Sequence, residues 1–295
     1  MNDVLRLPPG KTAHFADGEI YFIGNATTLI RVGGFTVLTD PAFLHQGGYA
    51  YLGHGIYARR QVAPACQVAD LPPLDLIVLS HYHGDHFDDE AARDLDKDLP
   101  IISTDHAIGQ LAALGFRRGH ALDTWQEQVV EKGDARLVIT AMPAKHATDD
   151  ALAAMLMPVN GHMLDFSRDD ERLYRLYITG DTMLTDRLYD IPERYPGIDL
   201  ALVHAGGTTL FVTVVTMTGP QAVHAVEITR PRTAIPIHYN DYSVFMSGLD
   251  DFRRAAAASS VDTQFRYLTQ GERYYFEPAA LAASGHGRAG GGSAG

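Results

Sequence analysis

Seven consecutive residues, Ser80-His81-Tyr82-His83-Gly84-Asp85-His86, constrain this chain more than any other feature. They follow a continuous apolar run, Leu76-Ile77-Val78-Leu79, bounded by Asp75 and Ser80, which reads as a strand buried on both faces. The acidic stretch from Asp88 to Leu99 then reads as a helix. The histidines therefore sit in a strand-to-helix loop, where α/β sheets place their chemistry. Three imidazoles and a carboxylate suit Zn²⁺ or a similar divalent ion. Residues two apart in an extended segment point the same way, so His81 and His83 can grip one ion. Asp85 and His86, beyond the Gly84 turn, face another, which implies two metals. A cluster without partners would be only a polar, solvated loop, so the other histidines matter.

The alternation around this loop extends along the chain. Strands are expected at Ile20 to Ile23, Thr27 to Val32 and Phe35 to Thr39, separated by the turn signals Gly24-Asn25 and Gly33-Gly34. Further strands are expected at Ile101 to Ser103, Leu137 to Ala141, Ala154 to Met157, Leu173 to Ile178, Leu200 to Val203 and Ala234 to Ile237, with a closing β-pair between Phe265 and Phe276. Helices are expected at His106 to Leu114, Met183 to Tyr189, Gly219 to Thr229 and Leu249 to Ala257. This mixture predicts an α/β protein of sheets covered by helices. Residues 42–73 lose periodicity in a Gly-, Tyr- and Pro-containing stretch; its length and its His45, Tyr49, Tyr51, His54 and Tyr57 make it a candidate lid or substrate wall. A single domain is expected over residues 1–278, followed by a flexible Ala/Gly/Ser-rich tail, 279–295.

The H-x-H-x-D-H pattern after an apolar strand resembles the signature of the metallo-β-lactamase superfamily of metallohydrolases. The remaining positions expected of that family are filled in order, over roughly residues 18–276: Thr39-Asp40-Pro41, the lone His of Met142-Pro143-Ala144-Lys145-His146, the Gly-Asp of Tyr177-Ile178-Thr179-Gly180-Asp181-Thr182, and the strand-end His of Ile235-Pro236-Ile237-His238-Tyr239. The resemblance implies an αββα four-layer sandwich. It implies that His81, His83 and His146 hold a first metal, that Asp85, His86 and His238 hold a second, and that Asp181 bridges them. Zn²⁺ is the expected ion, with Mn²⁺ and Fe²⁺ able to bind the same set. Asp40 is expected to orient a ligand imidazole or the site's water, although an Asp before Pro41 also makes a turn. The nucleophile is expected to be a hydroxide bridging the metals, so that no Ser or Cys nucleophile is needed.

Asp85, His204 and Tyr239 are the residues expected to act in catalysis. His204 ends a strand facing the site, where it would bind substrate or protonate a leaving group, or simply be a hydrogen-bonded structural residue. Tyr239, beside the last ligand, would polarise a carbonyl or be an ordinary half-buried aromatic. Lys145 would contact an anionic substrate or be a solvated charge. His14, His106, His120, His162, His224 and His286 are expected in surface or structural roles, and Trp125 in the core. His83 stands where the redox-active di-iron branch typically carries Glu, and no zinc-binding Cys of the antibiotic-hydrolysing branch is present. The Gly24-Asn25-Ala26-Thr27-Thr28 and Ala205-Gly206-Gly207-Thr208 segments resemble a subgroup containing L-ascorbate-6-phosphate lactonases and N-acyl phosphatidylethanolamine phospholipase D. That implies hydrolysis of a small lactone or ester, phosphorylated or not, or of a lipid or nucleotide-type phosphodiester. A metal-containing sensor or binding module is the reading from another class.

Composition removes several alternatives. Across 295 residues, 36 acidic side chains against 24 basic ones give a net charge of −12, the wrong sign for a nucleic-acid partner and compatible with a small-molecule one. A single cysteine, Cys66, allows no disulfide framework and suits a reducing, cytoplasmic compartment. No secretory leader and no membrane span are expected from the apolar patterning. Five of the 14 histidines are assigned to metal.

Overall fold

The computed structural model describes residues 4–8, 18–169, 171–210 and 213–278. The N-terminal meander forms as its turn residues require: strands Gly18–Gly24, Thr27–Val32 and Phe35–Thr39 are antiparallel neighbours. They reverse at Asn25 (φ 55°) and at Gly33-Gly34 (φ 60° and 94°), all left-handed positions that fit the twist of a two-residue hairpin turn. Phe35–Thr39 then pairs in parallel with Leu76–Val78, which is followed by Ile101–Ser103 and Gly119–Ala121. Arg273–Phe276 closes the other edge against Gly18–Gly24, making seven strands among the described residues.

A second sheet runs in the order Leu5–Arg6, Glu127–Lys132, Ala135–Met142, Gly161–Arg168, Glu171–Ile178, Leu200–His204, Thr233–Ile237 and Gln264–Phe265. The two sheets face each other across a core of Ile20, Phe22, Ile30 and Val37 on one side and Leu137, Ile139, Leu164 and Leu202 on the other. Helices Asp89–Asp94 and Asp105–Ala113 cover the outer face of the first sheet through Ala91, Ala107 and Leu111. Helices Gly219–Thr229 and Leu249–Ala258 cover the second through Ala222, Val226 and the fully buried Phe252. Burying such a side chain contributes about 1.5–3 kcal/mol, so packing rather than helix propensity holds these short helices. The arrangement is the expected αββα sandwich.

Several local expectations are corrected. Ala154 to Met157 is not a strand; helix Asp150–Met155 occupies this region, capped by the Asp149 side chain, which accepts from the Leu152 amide. Met183 to Tyr189 yields only a 3-10 turn, Asp186–Tyr189, leading into the short helix Asp190–Arg194. The closing segments do not pair with each other: Gln264–Phe265 joins Thr233–Ile237 in one sheet and Arg273–Phe276 joins the other. The long connection is ordered by a hairpin, Tyr49–Tyr51 with Tyr57–Arg59, and by the fully buried Arg60. His14, His286 and the expected tail lie outside the described residues. Among those residues, no helix is long and apolar enough to cross a membrane.

Parallel pairing has one consequence for function. Strands Phe35–Thr39, Leu76–Val78, Ala135–Met142, Glu171–Ile178, Leu200–His204 and Thr233–Ile237 all end at the same rim of the sandwich. Asp40, the histidine loop, His146, Asp181 and His238 are delivered there.

Candidate metal centre

The backbone at the rim is bent to aim these side chains. Asp40 (φ 37°) and His238 (φ 59°) adopt left-handed conformations that L-residues avoid outside constrained sites. Gly180 precedes Asp181 at φ 64°, and a Cβ there would lie 2.5 Å from the Asn160 carbonyl oxygen. The Gly-Asp pair in the sequence is thus a steric requirement of the turn.

Three buried groups of donors result among the described residues, the third being Asp40, His86 and His204. The ligand atoms of His81, His83 and His146 lie within 4.8 Å of one another, as do those of Asp85, His86, Asp181 and His238. His81 Nε2 faces His83 Nδ1 at 2.7 Å, and His86 Nε2 faces His238 Nε2 at 3.0 Å. Asp181 Oδ2 is 3.3 Å from His86 Nε2, and Asp85 Oδ2 is 3.3 Å from His238 Nε2. The groups adjoin, with the His81 and His86 ring centroids 4.2 Å apart. All seven predicted ligands are brought together.

A hydrogen-bonded layer behind them fixes the imidazoles. Ser80 donates its hydroxyl to Asp40 Oδ1 (2.7 Å), so its oxygen is left to accept from His81 Nδ1 (2.9 Å). Asp40 Oδ1 also lies 3.3 Å from His86 Nδ1. With Nδ1 protonated in both rings, each turns an Nε2 lone pair toward the donor groups. Asp40 therefore sits where it orients an imidazole.

Sequence reasoning took Asn25 for a turn residue and missed its second contact. Its side-chain amide donates to the Asp85 carbonyl (2.6 Å), and its own carbonyl accepts from the His238 amide (3.0 Å). One buried residue ties together two donors that are 153 positions apart in the chain. His162, expected in a surface or structural role, is buried in its strand.

Whether these residues suit a metal can be read from their unused lone pairs. Asp85 Oδ1 and both ring nitrogens of His146 are buried without a hydrogen-bond partner, and Asp181 Oδ1 and His238 Nδ1 meet only each other, at 3.4 Å, an arrangement that costs free energy unless a cation meets them. Burial holds His81 well below the ordinary imidazole range, with the His86 and His83 rings adding to it. Burial, then His146, pushes His83 down to about 3, and burial lowers His146. Neutral imidazoles are the metal-binding form. In the second group burial opposes ionisation of Asp85 and Asp181, but His86 and His238 overcome it and hold both carboxyls low, Asp181 the further. The donor chemistry fits divalent cations.

The family model described as the beta-lactamase superfamily domain matches residues 36–239, the span that carries every one of these donors. The chain belongs to the beta-lactamase superfamily. Among relatives of this superfamily member, a UPF0173 metal-dependent hydrolase of Anaeromyxobacter sp. (strain K) is 28% identical over 242 residues, 80% of each chain. Another from Aeropyrum pernix is 25% identical over 272 residues, 88% of this chain and 98% of the other. The crystal structure of an isothiocyanate hydrolase from Delia radicum gut bacteria superposes with a TM-score of 0.73 at 20% identity, over 88% of this chain and 99% of that one. That likeness establishes the metallo-β-lactamase fold for this superfamily member.

Two expected catalytic residues behave differently from the ligands. His204 is fully buried, its ring parallel to His86 at 5.9 Å and its Nδ1 3.1 Å from Thr179 Oγ1. Burial, then His238, pushes it down to about 3, so the ring is held as the neutral imidazole. Tyr239 gives its hydroxyl to the Leu268 carbonyl (3.1 Å). His204 nonetheless adjoins the donors, its ligand atom lying within 4.8 Å of those of Asp40 and His86.

Proposed function

We propose that this metal-dependent hydrolase of the beta-lactamase superfamily is a dinuclear enzyme acting on a small lactone or ester, with or without a phosphate elsewhere on it. His81, His83 and His146 would hold one divalent ion. Asp85, His86 and His238 would hold the other, with Asp181 shared between them and Asp40 orienting His86. The observation that carries the reading is the pair of adjoining buried donor groups with unsatisfied lone pairs at one rim. Zn²⁺ suits the donors best, and Mn²⁺ or Fe²⁺ would bind the same set. Two such ions would supply an activated water and polarise the attacked carbonyl. The protein's own contribution is to hold the imidazoles and the ionised carboxylates in fixed positions and to exclude bulk water.

A phosphodiester substrate is the second reading, since the same donors would serve it. A cytoplasmic setting belongs to the proposal on the strength of the single cysteine. The test is elemental analysis after reconstitution with each metal, together with a turnover panel of lactones, esters and bis-aryl phosphodiesters. Two metals per chain, with loss of turnover in Asp85→Asn and His238→Ala, are expected. Under one metal per chain with unchanged turnover in both variants would end the dinuclear reading, and faster turnover of phosphodiesters would end the lactone or ester reading.

A further inference from the structure

Four aliphatic side chains close the approach to the donors. Leu52, Leu156, Leu210 and Val215 line a chamber shared with Thr208 and with His83, Asp85, His146 and Asp181. They come from three separate segments: the turn between Tyr49–Tyr51 and Tyr57–Arg59, the end of helix Asp150–Met155, and the hairpin of Thr209–Leu210 with Thr213–Val214. The chamber's volume is about 10 Å³, room for roughly one water. Two larger cavities, about 570 Å³ and 480 Å³, lie alongside. The first touches His146 alone among the seven donors, and the second touches none.

Carboxylates outnumber ammonium and guanidinium groups along this approach. Asp105 and Asp123 line the first cavity, and Asp88 and Asp89 the second. Among the described residues lining all three spaces, Lys145 is the one Lys or Arg. Its ammonium is already bound by the Asp150 carboxylate and the Thr148 carbonyl.

We infer that the substrate presents an uncharged, apolar group to this chamber, and that Leu52, Leu156, Leu210 and Val215 set the specificity by disfavouring carboxylated or phosphorylated substrates. The inference rests on the hydrolase reading and narrows it. A charged group remote from the reacting bond would lose its water against the four aliphatic side chains, whereas an apolar group gains by burial. A chamber of this size admits a substrate only if a covering segment moves. Helix Asp150–Met155, none of whose residues is buried, is lightly held by packing.

The experiment uses the metal-loaded full chain and two matched pairs. Calorimetry compares butyrohydroxamate with succinic monohydroxamate, which differ by a terminal carboxylate, and kcat/KM compares para-nitrophenyl butyrate with mono-para-nitrophenyl succinate. The neutral member of each pair is expected to be favoured by at least about tenfold, or 1.4 kcal/mol. Leu156→Lys, at a half-exposed side chain, should narrow or reverse both preferences, while Leu156→Met should keep them. Preference for the carboxylated members by the unmodified protein overturns the inference. So do unchanged ratios in both Leu156→Lys and Leu210→Lys. Discrimination between the hydroxamates without turnover of either ester would end the ester-hydrolase reading and leave the chamber's selectivity standing.

Discussion

The amide of Gly84 donates to the carbonyl of Tyr51 across 2.9 Å, and a Cβ on Gly84 would lie 2.8 Å from both the nitrogen and the oxygen of Tyr51. The donor loop and the tyrosine-bearing hairpin are thereby pressed backbone to backbone. No side chain fits between them without one strand of contact giving way. Gly84→Ala is therefore expected to lose about 1–3 kcal/mol of stability and to lower metal occupancy. Thermal unfolding read beside elemental analysis checks this; a variant with full stability and full occupancy would show that the hairpin is free to yield.

Asp40 holds the orientation of two imidazoles, directly at His86 and through Ser80 at His81. Asp40→Asn is expected to weaken metal binding by about 10–100-fold while leaving the fold intact. Competition against a chromogenic chelator measures the loss. Ser80→Ala should weaken binding less, because Asp40 still faces His86.

Arg60 is fully buried between the long connection and the segment after His238. It donates to the Val62 and Ala42 carbonyls (2.9 and 2.8 Å) and lies 3.8 Å from the Asp241 carboxylate. Removing it strands a buried carboxylate, so Arg60→Met is expected to cost about 3–5 kcal/mol in denaturant unfolding. Arg60→Lys should recover little, because a point charge cannot replace the fork that reaches both carbonyls.

Acid should unfold the metal-free chain through its buried histidines. Burial pushes His162 down to about 4, from an ordinary 6.5. Between these values the unfolded chain binds the proton and the folded one does not, so stability is full above pH 6.5 and falls toward pH 4. The share from His162 is about 3 kcal/mol. His162→Gln should remove that part of the slope in stability measured against pH, and an unchanged slope would contradict it.

Local signals were legible and distant ones were not. Helix Gly219–Thr229 is readable to the residue because Thr218 and Gln221 form a capping box and Pro220 sits in the first turn. The ligand motif is readable because four of its members lie within six residues. Ala153-Ala154-Met155-Leu156-Met157 misleads because five apolar residues fit a strand or a helix equally, and the Asp149 cap decides. The parting of Gln264–Phe265 and Arg273–Phe276 into different sheets is set by what lies beside each, which no short window contains. Asn25 escaped for the same reason, since its partner Asp85 is 60 residues away. The Leu52, Leu156, Leu210 and Val215 chamber is assembled from four ordinary apolar residues with no pattern among them.

Asn25, Asp40 and His238 all carry left-handed backbone, and each such residue costs on the order of 1–3 kcal/mol. That penalty comes out of a total stability of only about 5–15 kcal/mol. The same three positions hold the site together, so the easiest routes to a more heat-resistant version of this protein, such as glycine in place of Asn25, run through the residues it can least spare. Robustness and reactivity compete for the same few bonds, and directed evolution toward thermal endurance would press first on residues that aim the donor set.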